Sequence, residues 1–584
     1  MKKKTLASMM AIIMAVSVLA GCGSSSSSSS TDTSSEDTTT EETTEEAAEE
    51  ETAEEETAEE ETAEEEVSAE AAEDTADATA DAEAVTVSEI SIASERDPTD
   101  LGPFAGNMGG ASAIVPLVYQ TLYIRTIDET DSLGQPCMAK EIVDNGDNSY
   151  TVELFDYIYD SDGNHFTTSD IEYCIETSVS IGKVSSVKVV DHIDIIDDYN
   201  FIVYFSDSAR MGDYEGFFCQ AFWVTEAAYE EYDGMSQQPI GTGQYVMSDY
   251  VGGSNIEFTK NEDYWQTDET YIALSSAAYA DVINYPIITE AMQRAIAVES
   301  GTLDYGAISY TDLERVSSTE GVGILEVPDN LTNLLFMNMS GDSVLSDNLA
   351  LRQAIGYALD NEGIASMVST SKAVAVYDLS NSNYPDYYED YYVAEAESGS
   401  NVYAYDLEKA QELLEESGFD TSQSLTLICS SDENITDLAQ IIKTYLSMIG
   451  IDVTIDSYQS SMVSNIAEDT GAWDLYLLQY ASTDYAVNVW EKVLNEEKYS
   501  WEGTINFVYD DTLQEMLADV RTTEGHTEEA VEEFHDYVAD QAWAIGICQF
   551  INYFAYDATL FEEDGIVMSD QRIIRPNSCS FLEQ

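Results

Sequence analysis

Pro239-Ile240-Gly241-Thr242-Gly243-Gln244-Tyr245, followed one strand later by Lys260-Asn261-Glu262-Asp263-Tyr264-Trp265, is the stretch that decides the fold. Two glycines bracketing a threonine read as a tight backbone turn, because glycine reaches dihedrals closed to other residues. Between the two motifs, Ile256-Glu257-Phe258-Thr259 alternates apolar and polar and reads as a half-buried strand. A polar turn ends it, and a Tyr-Trp pair follows. Gly241-Thr242-Gly243 is not a phosphate loop, since no Gly-Lys-Ser/Thr comes after it.

Working outward, the amino end reads as an export signal. Lys2, Lys3 and Lys4 precede an apolar run from Leu6 to Val18 that is short for a membrane span. Leu19-Ala20-Gly21-Cys22 places small residues ahead of a cysteine, a lipobox pattern, so residues 1–22 are expected to be a lipoprotein signal with lipidation at Cys22. Residues 23–84 are a serine run, then Glu, Asp, Thr, Ser and Ala, with Glu-Glu-Glu-Thr-Ala repeating through Glu49 to Glu66. No Lys or Arg relieves the repulsion and few apolar groups offset ordering entropy, so an extended, disordered tether is expected.

The remaining length, about 500 residues, suffices for two or three lobes. Formal charge is −93, from 114 acids against 21 bases, and only 25 of the acids precede residue 85. Phosphate recognition needs basic patches, so nucleic acid is excluded as a partner. The four histidines, His165, His192, His526 and His535, are not at ligand spacing, and neither a metal nor a cofactor is expected. Six cysteines remain after Cys22, none in a Cys-x-x-Cys; mostly free, buried thiols are expected.

Val85 to Ile92 reads as the first strand, and a helical pattern runs from about Ala111 through Tyr119 to Leu122. Tyr150 to Leu154 has the period of a half-buried strand, and Thr168-Ser169-Asp170 begins a helix. Thr289 caps a helix facing Met292, Ala295, Ile296 and Val298 inward; Ser346-Asp347 and Asp406 start two more. From Leu425 the order is strand, helix, strand, helix, strand, ending at Trp473 to Leu478. That order implies a right-handed, mainly parallel sheet. Ligands of such sheets sit beyond the carboxyl ends of strands, which makes Gln479 to Tyr485 the expected ligand-facing segment.

Further motifs occur in order. They are Asp160-Ser161-Asp162-Gly163 with Phe166 to Ile171; Glu299-Ser300-Gly301-Thr302-Leu303-Asp304; Phe336-Met337-Asn338 with Leu351 to Asp360; and Tyr405-Asp406 to Gly418-Phe419, then Ile449-Gly450-Ile451. Together with the opening motif, this order and spacing resemble extracellular solute-binding protein family 5, the oligopeptide- and dipeptide-binding lipoproteins of ABC importers. The resemblance implies an α/β, periplasmic-binding-protein-like fold of the cluster C type: two α/β lobes with a cleft, plus an inserted small lobe. It places the first lobe at 85–330 plus 546–584, with the small lobe at about 125–215, and the second lobe at 331–545. It implies closure of the lobes over a peptide, delivery to a membrane permease, and a monomer held by lipid on the outer face of the cytoplasmic membrane in a Gram-positive-type envelope.

In such receptors an aspartate past the strand at Trp473 to Leu478 meets the peptide ammonium, and Asp484, followed by Tyr485, matches it. Tyr480 stands where the family commonly has tryptophan, and no Asp-Pro follows Asp484-Tyr485, two departures from its pattern. Phe222 and Trp223 are aromatic candidates for the cleft wall, and Asn107 opens a Gly-rich loop able to offer backbone groups to a ligand. Other readings stay open: a receptor for sugar, nickel chelate or haem, a sensor of peptide signals, or an extracellular hydrolase. No Gly-x-Ser-x-Gly or His-Glu-x-x-His motif supports the last, so no enzyme activity is expected.

Overall fold

The structure is a computed structural model. It describes residues 85–105, 111, 114–125, 133–184, 186–206, 209–268, 271, 277–380, 383–388, 391–392, 403–481, 485–496, 504–562, 564–569 and 572–583. Cys22, the acidic segment, Asn107 and Asp484 lie outside the described residues.

The opening motif folds as one unit with its partner. The Trp265 indole donates to the Thr242 carbonyl and to Gln120 Oε1, each at 2.9 Å, and Asn261 N donates to the Gln244 carbonyl at 2.8 Å. Neither Gly241 nor Gly243 has a positive φ. Close approach is what demands glycine: a Cβ on Gly241 would stand 2.2 Å from the Val118 carbonyl oxygen, and one on Gly243 2.4 Å from that of Leu117. The expected dihedral reason is thus replaced by a packing one.

Four strands, Val87–Ser91, Ala280–Pro286, Asn255–Lys260 and Tyr245–Val251, lie side by side in that order. A second four-stranded antiparallel sheet orders Ala139–Asp144, Ser149–Leu154, Asn200–Phe205 and Val190–Asp197. Both share one aromatic-rich core, which includes Phe166, Phe201, Phe217, Trp223 and Tyr285. The carboxyl-terminal residues Phe561, Cys579 and Phe581 return to it. Thr167 caps the helix Thr168–Ile181 through a capping box with Asp170, and Gly182 ends it at φ 76°.

The third sheet has seven strands. Ser424–Ser430 pairs in parallel with both Asp452–Tyr458 and Leu475–Ala481, as the strand-helix alternation requires. The expected mainly parallel sheet is nonetheless a mixed one. Two long strands, Val322–Met337 and Ala544–Asp557, run antiparallel beside each other. Their outer halves pack with Ala295, Val298 and Leu303; their inner halves enter the cores around Leu351, Leu438 and Trp490.

Two expected helices differ. The pattern at Ala111 to Leu122 forms one 3-10 turn, Val115–Leu117, with Pro116 inside it. Helix Ala291–Glu299 buries Ala295, Val298 and Arg294, while Met292 and Ile296 are 63% and 52% exposed. Arg294 takes the inward position because its guanidinium caps three carbonyls, those of Ile288, Thr289 and Ala307. The six described cysteines are free and buried.

Candidate functional site

The two long strands carry the chain between its cores, and their pairing register shifts between Pro328 and Thr332. The break is clasped by side chains. Asn383 Nδ2 donates to the Asp329 carbonyl at 2.9 Å, the Tyr384 hydroxyl to that of Asn330 at 3.1 Å, and Gln549 Nε2 also donates to the Asp329 carbonyl. Burial raises the Asp329 carboxyl above its ordinary range, against the Leu331 N–H, which lowers it.

Away from these strands, the segment Arg210–Glu215 meets the helix Ala486–Leu494 and its neighbours along a polar seam. Tyr485 donates its hydroxyl to Glu215 Oε1 at 3.1 Å. Arg210 Nε lies 3.1 Å from Glu491 Oε1, and Met211 N donates to the Arg521 carbonyl at 3.0 Å. Glu491 is 1% exposed and also takes Arg521 Nη1 at 3.2 and 3.3 Å and Asn495 Nδ2 at 3.0 Å on each oxygen. One carboxylate thus gathers two guanidinium groups and an amide, the multiple bonding a buried charge requires.

Tyr485 is held from behind. Asp386 accepts the N–H groups of Ala486 and Val487 at 2.6 and 3.1 Å, fixing the helix start. His526 Nε2 stands 3.5 Å from Asp386, its Nδ1 is 2.9 Å from the Val520 carbonyl, and its ring meets that of Tyr485 edge to face at 5.8 Å. Burial raises the Tyr485 hydroxyl pKa well above its ordinary value; Glu215 raises it further and Arg125 lowers it. Burial likewise raises the Asp386 carboxyl, with its two N–H donors and His526 opposing.

Of the residues singled out in the sequence, Tyr485 lies on the seam. Tyr480 sits opposite Thr332 on the neighbouring crossing strand, and burial raises its hydroxyl pKa. Phe222 is half-buried, 5.8 Å from the Tyr119 ring. Trp223 is placed in the core, 1% exposed and edge-on to Phe217, rather than on a cleft wall. Sequence reasoning missed Arg210, Glu215, Asp386, Glu491 and His526. Glu491 left a trace: it is the lone acid in Ala-Val-Asn-Val-Trp-Glu-Lys-Val-Leu, an otherwise apolar helix. Among the described residues, no group of three His, Cys, Asp or Glu is placed to hold a metal, and no helix is long and apolar enough to cross a membrane.

Two α/β halves joined by paired crossing strands and meeting at a polar seam define the two-lobed solute-binding fold. The comparisons agree. Residues 135–490 match the model for bacterial extracellular solute-binding proteins, family 5, and the chain belongs to that family. Heme-binding protein A of Haemophilus influenzae is 25% identical over 234 residues, 38% of this chain and 39% of that protein. The oligopeptide-binding protein AppA of Bacillus subtilis is 24% identical over 243 residues, 39% of this chain and 41% of that protein. The chain thus spans about two fifths of the length of these two curated relatives. In structure, AppA in complex with a nonapeptide matches with a TM-score of 0.65 at 17% identity, over 86% of this chain and 100% of that one. The ABC transporter substrate-binding protein CtaP of Listeria monocytogenes matches with a TM-score of 0.73 at 20% identity, over 85% and 100%.

Proposed function

We propose that this chain is the substrate-binding lipoprotein of an ABC importer, capturing peptides between two closing lobes and delivering them unaltered to a membrane permease. The observation that carries the reading is the pair of joints. Two continuous strands link the halves, while at the seam they meet through a few polar contacts, mostly between side chains, that a small rotation would break. The first lobe takes 85–330 and 546–584, including a small lobe at about 125–215; the second takes 331–545. Tyr485, Tyr480 and Phe222 are the described residues assigned to the ligand, and Asp484, outside the described residues, is assigned to it from the sequence. Asp484 adjoins Tyr485 in sequence, and a fixed carboxylate there sets the register of a peptide by neutralising its amino terminus. Strand edges supply the remaining bonds to the peptide backbone, indifferent to its side chains.

Peptide is favoured over haem or a nickel chelate because the described residues of the seam present carboxylates and a tyrosine hydroxyl, the groups that bind peptide ends and backbone. Haem is the second reading, supported by the likeness to heme-binding protein A. Native mass spectrometry of the purified protein separates the two: a peptide mass released intact supports the first, a haem mass the second. Peptide fragments appearing on incubation would instead establish hydrolysis.

The mature chain starts at a lipidated Cys22, tethered by residues 23–84, as a monomer at the outer face of the cytoplasmic membrane. Cys22→Ala is expected to abolish incorporation of labelled fatty acid and release the protein to the medium. Retained label would remove the anchor from this account.

A further inference from the structure

We propose that Glu215 is a ligand-binding residue, a carboxylate that reaches from the small lobe to hold an ammonium group of the captured peptide. The proposal rests on the reading of the seam as the mouth of the ligand cleft. Glu215 ends a short helical turn, Asp213–Glu215, anchored by Tyr214. The Tyr214 ring is buried 4.8 Å from Phe205 and 5.3 Å from Tyr150, so the carboxylate beside it is projected from a rigid aromatic base.

Only one of its oxygens is satisfied. Oε1 accepts the Tyr485 hydroxyl, while Oε2 is enclosed and no donor among the described residues reaches it. A desolvated carboxylate oxygen without a donor is costly, and chains retain such groups where something else supplies the donor. Two cations of the seam are committed elsewhere: Arg210 and Arg521 both turn to Glu491. Arg125, buried, acts electrostatically on the Tyr485 hydroxyl and lowers its pKa.

The geometry selects the kind of cation. A guanidinium binds carboxylate best through both oxygens, and Tyr485 already occupies one. A metal ion needs several ligands, and none cluster here among the described residues. An ammonium is a compact point charge that one free oxygen can hold. Because Glu215 and Tyr485 come from opposite sides of the seam, a bound ammonium would contact both halves at once and favour the closed form.

Peptide ammonium has two sources, the amino terminus and a lysine side chain. The full chain and Glu215→Gln are titrated by calorimetry with three probes: pentaalanine with a free terminus, N-acetylated pentaalanine, and an N-acetylated pentapeptide with a central lysine. Gln is isosteric and keeps an acceptor for Tyr485, and an unchanged unfolding midpoint confirms the variant is folded. The expected result is a loss of roughly ten- to a hundredfold on one ammonium-bearing probe, with the acetylated pentaalanine unaffected. Loss on the free-terminus probe identifies the amino terminus, and loss on the lysine probe identifies the side chain. Equal affinities of both proteins for every probe, or equal losses on all three, overturn the role of Glu215. A wild-type chain that takes none of the three overturns the peptide reading itself, and the assignment with it.

Discussion

The halves of this molecule are joined in two chemically different ways. At the crossing, two strands run side by side and their backbones exchange hydrogen bonds on both sides of a short break in register at Pro328–Thr332. At the seam the contacts are few and mostly between side chains, Tyr485 with Glu215 and Arg210 with Glu491, beside one backbone bond from Met211 N to the Arg521 carbonyl. Separating the crossing would expose many backbone donors and acceptors together. Separating the seam transfers a few charged groups to water, which receives them well. The first joint is therefore the costlier to separate and the second the cheaper, so under the proposed function the seam is the joint that opens.

Substitutions should divide along that line, and the largest effect belongs to the crossing. Gly546 lies on the strand Ala544–Asp557, where an added Cβ would stand 1.9 Å from the Asp378 carbonyl oxygen. Gly546→Ala is expected to cost about 3 kcal/mol of stability in denaturant titration, since a backbone segment must move to admit it. An unchanged midpoint would show that the crossing is softer than its contacts suggest.

Glu491 comes next. Its removal leaves Arg210 and Arg521 facing each other, but both are about a quarter exposed, 27% and 26%, so water softens the loss. Glu491→Ala should cost about 2 kcal/mol. It should also enlarge the radius of gyration in scattering, because a seam contact goes with it. Stability lost without expansion would assign Glu491 to its own half alone.

Two buried carboxyls extend the comparison to pH. Asp378, beside the crossing, and Asp386, behind the seam, are both raised by burial, with His535 and His526 respectively opposing. A carboxyl whose folded pKa exceeds its unfolded value holds its proton more firmly in the folded chain. Its burial penalty is absent below the ordinary carboxylate range, and stability falls as pH rises through the window up to the raised value. Asp378→Asn should flatten that fall in the unfolding free energy. Asp386→Asn should flatten a pH-dependent change in the scattering radius instead. Identical profiles for the two variants would erase the distinction between the joints.

The smallest effect is expected from Tyr485→Phe. It removes one hydrogen bond to a carboxylate, worth about 1.5 kcal/mol, and lies at the seam. Thermal unfolding should barely shift, while ligand-induced compaction should weaken. A large drop in the unfolding midpoint would move Tyr485 from the seam into the core.

Much of this architecture was legible in the chain because it is locally encoded. Asp406 caps the helix Leu407–Ser417 and Gly418 ends it at φ 65°, both readable from residue type alone. The strand-helix alternation after Leu425 gave the parallel strands by period and handedness. The departures have non-local causes. Met292 and Ile296 face solvent because Arg294 found three carbonyls to bond, and the two glycines of the opening motif answer to a backbone far away in sequence. The candidate site was least legible. The rule that ligands gather past strand ends singles out Tyr485, which the fold sets against Glu215. Its partner Glu215 lies 270 residues earlier in the chain, on a turn with no motif.

The amino-acid sequence by itself determined the periodicities, caps and ordered motifs that specify the family. These depend on neighbours a few residues apart, whose geometry the backbone imposes. The resemblance singled out Asp484 among 114 acids, but tertiary structure alone brought Glu215, Asp386 and Glu491 forward. A carboxylate acquires a distinct role only when burial and a partner from elsewhere in the chain change what surrounds it, and in a chain this acidic no local pattern can mark the few to which that happens.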